Sequence, residues 1–391
     1  MHRSWIVALV LLLAPTANLW SQQKDDGFVP MFNGKDLSGW QLVNTDPRTW
    51  SVEDGMLICS GKPIGELRTD RMYQNFIMEV EWRHMVPKGN AGIFVWADDI
   101  TAKGQPFHRG IEVQILENAY GKADWFTTHG DIFPIHGAKM TPVNDRGGSR
   151  AFPTEMRSLP TPQWNHYRIE AIDGAISLAV NGKVVTRGTD CNPRKGYLCI
   201  ESEGGVVHYR NVKIKELPDT PIEANMIAIA DRGYRCLYTG IDLTGWSVQQ
   251  PEGAAKETAE EAAGHWKPSD WVLSCTGAAG TNLPLASDEA FGDYGFVVDF
   301  RLNKDSGSPQ IRLRGDAAAI AIAGDDSPLT PHLDKVGKWN RIEGEVRGDK
   351  VSLTINGNEI EPFAATGSAN AKGPLTLVPD GPVDVANIFV R

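Results

Sequence analysis

The residues best equipped for chemistry lie between Phe107 and Arg150. This stretch holds His108, His129 and His136, with Glu112, Gln114, Asp131, Lys139, Asp145 and Arg146 among them. Histidine titrates near neutral pH and can both take and give a proton. A carboxylate beside it supplies a second acid or base, and a lysine or arginine can stabilise a developing oxyanion. His136, His129 and Glu112 are therefore the candidate acid and base, and Lys139 and Arg146 the candidate cations. His129-x-Asp131 with Glu112 would also suit a divalent metal, although no tight ligand motif requires one. Plainer roles stand beside these: a histidine next to glycine serves many loops, and Asp131 beside Gly130 is a natural turn-former.

The elements around this stretch read as short strands. Gly110 to Leu116 alternates, with Glu112 and Gln114 on one face and Ile111, Val113 and Ile115 on the other. Phe76 to His84 alternates likewise, with Glu79, Glu81 and Arg83 on its polar face. Ala91 to Trp96 and Tyr197 to Glu203 add further strands, the latter carrying Glu201 and Glu203. Asp173-Gly174 and Asn181-Gly182 are hairpin dipeptides. Glycine (40), proline (24) and tryptophan (12) are plentiful, and helix-periodic segments are scarce. The fold class expected is all-β, a two-sheet sandwich. In a curved sandwich Glu81, Arg83, Glu112, Gln114, Glu201 and Glu203 can line one concave face. Trp40, Trp50, Trp82 and Trp164 are expected in the core, and Trp125 offers a flat apolar surface to a ligand.

The chain of 391 residues repeats itself. Phe32-Asn-Gly-Lys-Asp-Leu-Ser-Gly-Trp40 returns as Tyr238-Thr-Gly-Ile-Asp-Leu-Thr-Gly-Trp246, and Trp50 to Gly61 as Trp266 to Gly277. The run Asn75 to Arg83 returns as Asp293 to Arg301, and Gln163-Trp-Asn-His as Lys338-Trp-Asn-Arg. The span from Phe76 to Trp164 is about twice that from Tyr294 to Trp339, so the second copy lacks the polar stretch and carries an alanine-rich run instead. A scaffold kept without its polar insert points to chemistry in the first copy. The domains expected are a signal peptide over 1–22, a catalytic sandwich over 23–217, a linker over 218–225 and a non-catalytic sandwich over 226–391. The signal rests on Arg3 followed by the apolar run Ile6 to Leu13, too short to span a bilayer. A secreted or periplasmic protein with no stable membrane span is expected. Net charge is −10, which disfavours nucleic-acid binding. Five cysteines show no Cys-x-x-Cys or Cys/His metal spacing, which argues against structural zinc; Cys191 and Cys199 are close enough in sequence to pair.

Several of these motifs resemble the 3-keto-disaccharide hydrolase domain family. They are Phe32 to Trp40, Trp50-Ser-Val-Glu-Asp-Gly-Met-Leu57, Asn90-Ala-Gly-Ile-Phe94, Glu112-Val-Gln-Ile-Leu-Glu-Asn118, Gln163-Trp-Asn-His-Tyr167, Val180-Asn-Gly182 and Tyr197 to Gly204 with Tyr209-Arg-Asn-Val-Lys-Ile214. Together they cover about Gly27 to Leu217; the second half keeps only framework motifs. The resemblance implies a concanavalin A-like jelly roll in each half and a glycoside or oligosaccharide substrate oxidised at C3. Two departures stand out. Ala91 occupies a position where the family usually has serine, and Glu201-Ser-Glu203 replaces a more frequent Gln-Asp-His.

A ketone at C3 acidifies the C2 hydrogen. A base can remove it, the C1 substituent then leaves by β-elimination, and added water gives net hydrolysis. On this reading Gln114, Asn90, Arg83, Asp131, Lys139, Glu201, Glu203 and Trp125 contact the sugar. No cofactor is required by the sequence, and a divalent metal is possible. Two other readings compete: a lectin-like binding protein, and a conventional glycoside hydrolase pairing Glu112 with Glu201 or Glu203.

Overall fold

The computed structural model describes residues 26–120, 129–230, 232–249, 266–276, 283–304, 307–315, 317–365 and 372–391. The fold is all-β: two tandem concanavalin A-like jelly-roll sandwiches. In the first, a nine-stranded sheet runs in the order Lys139–Pro142, Lys183–Asn192, Ala175–Val180, Asn165–Ile172, Phe76–His84, Val207–Glu216, Met56–Cys59, Trp50–Glu53, with Val29–Pro30 beside Val207–Glu216. It faces a six-stranded sheet ordered Trp40–Val43, Gly65–Thr69, Tyr197–Ser202, Asn90–Ala97, Gly110–Leu116, Ile132–Ile135. The core between them takes alternate residues of both sheets, among them Met78, Val80 and Trp82 from one and Ile93, Val113 and Ile200 from the other. Asn181 and Gly182 take left-handed conformations (φ 47° and 85°), as a two-residue hairpin turn demands.

The second sandwich follows the same strand order. Its larger sheet runs Trp266–Ser269, Val272–Cys275, Val383–Val390, Tyr294–Leu302, Trp339–Arg347, Lys350–Ile355, Asn358–Ala364. Its smaller sheet runs Trp246–Val248, Leu285–Phe291, Gly373–Val378, Gln310–Leu313, Ala318–Ala321. The Gly110–Leu116 strand therefore has a positional counterpart in Ala318–Ala321, Ala-Ala-Ile-Ala, which has neither the carboxylate of Glu112 nor the amide of Gln114. The extra material of the first half begins after this strand, not with it. Among the described residues only the first half has a further strand, Ile132–Ile135, at that edge.

The framework explains two residues that the sequence alone misplaces. Arg83 lies on the outer face of the nine-stranded sheet, on the far side of the core from Glu112, and its guanidinium stacks over Trp164 at 4.5 Å. Arg210 stacks on the same ring at 4.0 Å. Trp164 is thus half-buried under two cations rather than in the core, whereas Trp40, Trp50 and Trp82 are buried. The second half repeats the device, with Arg301 at 4.7 Å over Trp339. A pairing kept in both halves belongs to the scaffold, not to a substrate site. All five cysteines are free thiols, so Cys191 and Cys199 are not bonded.

The halves meet at the loop that follows Asn90–Ala97. Asp299, fully buried, accepts from the Gly104 backbone N–H (2.7 Å), from Asn387 Nδ2 (2.7 Å) and from Arg341 Nε (2.6 Å). Asn387 Nδ2 also reaches the carbonyls of Ala102 and Gln105, and Arg341 Nη2 donates to that of Thr101. A side chain at Gly104 would strike the Trp339 indole, with a Cβ 2.1 Å from its ring, and φ there is +67°. Asn387→Ala strips these donors from buried acceptors. The expected outcome is a loss of about 2–3 kcal/mol in unfolding free energy, together with faster amide hydrogen exchange over residues 101–108, read by mass spectrometry.

Candidate active site

The outer face of the six-stranded sheet carries the site. Antiparallel register sets side chains in rows across it. Glu66 pairs with Glu201, and Gly92 with Gln114. One row along, Arg68 pairs with Cys199, Cys199 and Glu112 both pair with Phe94, and Glu112 pairs with Phe133. Strand alternation sends Leu67, Ile200, Ile93 and Val113 into the core, so these polar residues share the opposite face. That face is covered rather than wet: Glu112 is 6% exposed and Glu201 1%.

Glycine at position 92 lets two acids converge. A Cβ there would lie 2.5 Å from a Glu201 carboxylate oxygen and 2.9 Å from one of Glu112. Neither Glu201 oxygen has a hydrogen-bond partner among the described residues. Glu203 accepts from Asn90 Nδ2, and Asn90 Oδ1 accepts from Gln114 Nε2 at 2.8 Å. Gln114 is itself held from below, because Tyr167 of the opposite sheet donates its hydroxyl to the Gln114 carbonyl at 2.9 Å. Asp131, fully buried, pairs with Arg150 at 3.2 Å, and Arg150 lies over the Phe133 ring. The guanidinium also acts electrostatically on Glu112.

Burial and mutual repulsion govern the acids. Burial first, then the neighbouring Glu203, holds Glu112 well above the usual carboxylate range, with Arg150 pulling the other way. Burial and then Glu112 do the same to Glu201. Burial raises Glu203 to about 7, against the hydrogen bond from Asn90. A carboxyl near 7 titrates where a histidine does. Glu203 stands where the resemblance leads one to expect histidine, and its carboxyl is raised into the range where a histidine titrates.

The sequence candidates divide accordingly. Glu112, Gln114, Asn90, Glu201, Glu203 and Asp131 come together here. His136 does not join them: it occupies the turn between Ile132–Ile135 and Lys139–Pro142, exposed and at φ 52°, ahead of Gly137 at φ 96°. His129 is buried, and burial lowers it to about 4, so it is neutral near pH 7; the charge acting on it is that of Glu117, not Glu112. Lys139 is exposed and pairs in the nine-stranded sheet opposite Asn192, and Arg83 lies on that sheet's outer face. Arg146 stacks over Phe152 at 3.9 Å. Trp125 lies outside the described residues. Sequence reasoning missed Arg150, whose position beside Phe133 depends on the chain returning to pair Ala151 with Ile132.

Residues 27–215 match the family described as the 3-keto-alpha-glucoside-1,2-lyase-like domain. The first sandwich belongs to this family. A relative from Bacteroides thetaiotaomicron named 3-keto-disaccharide hydrolase is 26% identical over 166 residues, which is 39% of this chain and 54% of the relative. The chain thus spans about half the length of that curated relative. Among solved structures, a putative glycosyl hydrolase from Parabacteroides distasonis is similar at 23% identity over 51% of this chain and 98% of its own, with a TM-score of 0.39. The carbohydrate-binding module CBM66 from Bacillus subtilis is similar at 12% identity over 46% and 96%, with a TM-score of 0.32. In the 3-keto-alpha-glucoside-1,2-lyase-like sandwich of this chain, the family motif Glu112-Val-Gln is the strand that supplies both Glu112 and Gln114 to the cluster.

The Glu203 shift has a consequence for stability. Its carboxyl titrates near 4.5 when unfolded and at about 7 when folded. Between these values the folded state holds more protons, so stability falls as pH rises through that window and is highest below it. Glu203→Gln removes this dependence. Relative to the variant, the wild type is expected to lose about 3 kcal/mol between pH 4.5 and 7, measured by denaturant unfolding at a series of pH values.

Proposed function

We propose that the first sandwich cleaves 3-keto-glycosides, 3-keto-disaccharides among them, by acid–base chemistry on its buried carboxylates. The observation that carries this reading is the convergence of Glu112 and Glu201 over Gly92, with Glu203 beside them through Asn90. Like-charged acids are costly to bury, and such clusters mark sites where protons move.

Glu203, half ionised near neutral pH, is the base that takes the C2 proton of a 3-oxo sugar. The electron pair left behind moves toward the C3 oxygen, and Arg150 is the cation that balances the enediolate. Glu112, held protonated, gives its proton to the glycosidic oxygen as the C1–O bond breaks. Groups pushed to different strengths within one site divide acid from base in this way. Water then adds at C1, its proton returning to C2, and the 3-keto sugar is released. The side-chain amides of Gln114 and Asn90 are placed to bind sugar hydroxyls. The apolar run Ile6 to Leu13 supports delivery to a secreted or periplasmic location. Among the described residues, no helix is long and apolar enough to cross a membrane.

The same convergence would also serve a conventional glycosidase, which flanks the bond with two carboxyls. The substrates separate the two readings. Purified protein is expected to cleave an aryl 3-oxo-glucoside, and in D2O to place deuterium at C2 of the product. Cleavage of the unoxidised glucoside at a comparable rate would sink the elimination mechanism. Glu203→Gln should lower kcat by about 100-fold or more and abolish the limb of the pH–rate profile near 7.

A further inference from the structure

Beside the carboxylates, on the same cross-strand rows, lies a cluster that this chemistry does not use: Glu66 pairs with Glu201, and Cys199 pairs with Phe94, which also pairs with Glu112. Glu66 comes from Gly65–Thr69, Cys199 from Tyr197–Ser202, and His108 from the residues just before Gly110–Leu116. Each is fully buried. One ligand-type atom from each of the three lies within 4.8 Å of the others. His108 Nδ1 contacts one Glu66 carboxylate oxygen, and Cys199 Sγ lies 3.8 Å from the same nitrogen. The other Glu66 oxygen has no hydrogen-bond partner among the described residues, nor has His108 Nε2. A carboxylate with a bare oxygen in a dry interior is expensive unless a cation or donor completes it.

We propose that Glu66, His108 and Cys199 bind one divalent transition-metal ion, zinc by their ligand chemistry. Carboxylate oxygen, imidazole nitrogen and thiolate sulfur are all zinc ligands, and three of them leave one tetrahedral position for a water or for the second Glu66 oxygen. A Zn2+ ion with the Glu66 carboxylate and the Cys199 thiolate forms a neutral unit, which suits burial. The nearby cation does not fill this role. Arg68, cross-strand from Cys199, donates to the Asp99 carbonyl and lies 4.3 Å over the Tyr197 ring.

The ligands come from positions 66, 108 and 199, so no compact sequence spacing announces them. A site assembled by sheet register leaves no Cys-x-x-Cys or Cys/His spacing behind in the sequence. The ion would join two neighbouring strands to the loop that enters the Glu112 strand. Its role is therefore positional, and it does not depend on the proposed reaction.

The test is the metal content of the full-length protein, purified without chelator and incubated with Zn2+ before exhaustive desalting. About one zinc per chain is expected by elemental analysis, with much less in Cys199→Ser and His108→Gln. Replacement by Co2+ should give an intense thiolate-to-cobalt absorption that Cys199→Ser lacks. Should a variant fail to fold, the wild type still decides: a chelator strong enough to strip the ion should lower its Tm, and Zn2+ should restore it. Wild-type protein with no stoichiometric zinc, or zinc retained in both folded variants, would overturn the proposal and leave Glu66–His108 as a hydrogen-bonded pair.

Discussion

The structure depends on a buried carboxylate in its second half. Asp299 takes donors from Gly104, Asn387 and Arg341 together. Breaking a buried ion pair strands a charge, so such a pair fixes geometry more than it adds stability. What it fixes is the loop over 101–105. Arg232 and Arg109 grip the acids at its start, through Asp99 at 2.6 Å and Asp98 at 2.8 Å. The chain leaving this loop carries His108 and then Glu112. The second sandwich, whose counterpart strand Ala318–Ala321 carries no acid, reaches the candidate site through this grip.

Two buried acids make an instructive contrast. Asp299 has donors on both oxygens. Glu201 is as deeply buried and, among the described residues, has a partner on neither. The first pattern is what a packed scaffold requires. The second is a local debt that folding alone does not explain, and it lies over Gly92, where the Glu112 carboxylate arrives from the neighbouring strand. Buried acids without partners among the described residues, rather than the density of histidines, single out this part of the sheet as the candidate site.

Much of this was legible in the sequence. Alternation gave the Gly110–Leu116 strand and its polar face, and Asn181-Gly182 gave the hairpin between Ala175–Val180 and Lys183–Asn192, because both depend on local periodicity and backbone preference. Glu201 and Glu203 were placed on a polar face for the same reason. That face proved covered, which alternation cannot show, since a buried polar residue and a solvated one look alike in sequence. His136 sits exposed in a hairpin turn apart from the acids, a placement that residue type alone does not show. Arg83 could have been read correctly from the repeat itself. Its partner Trp164 and their counterparts Arg301 and Trp339 recur together, as a stacked pair required by the framework would. Arg150, Glu66, His108 and Cys199 depend on register between distant strands, which no single window of sequence contains.

The contact of Gly104 with the Trp339 ring bears on how this protein can be re-engineered. A sandwich is often treated as a cassette, to be moved behind a new linker or fused to another partner. Here the first cassette carries a loop shaped to the flat indole of the second, with no room for even a methyl group. Transplanted alone, it would present that bare loop to water along with backbone carbonyls meant for Asn387 and Arg341. The unit of exchange is therefore the pair, and a graft that preserves the first sandwich must carry the second with it.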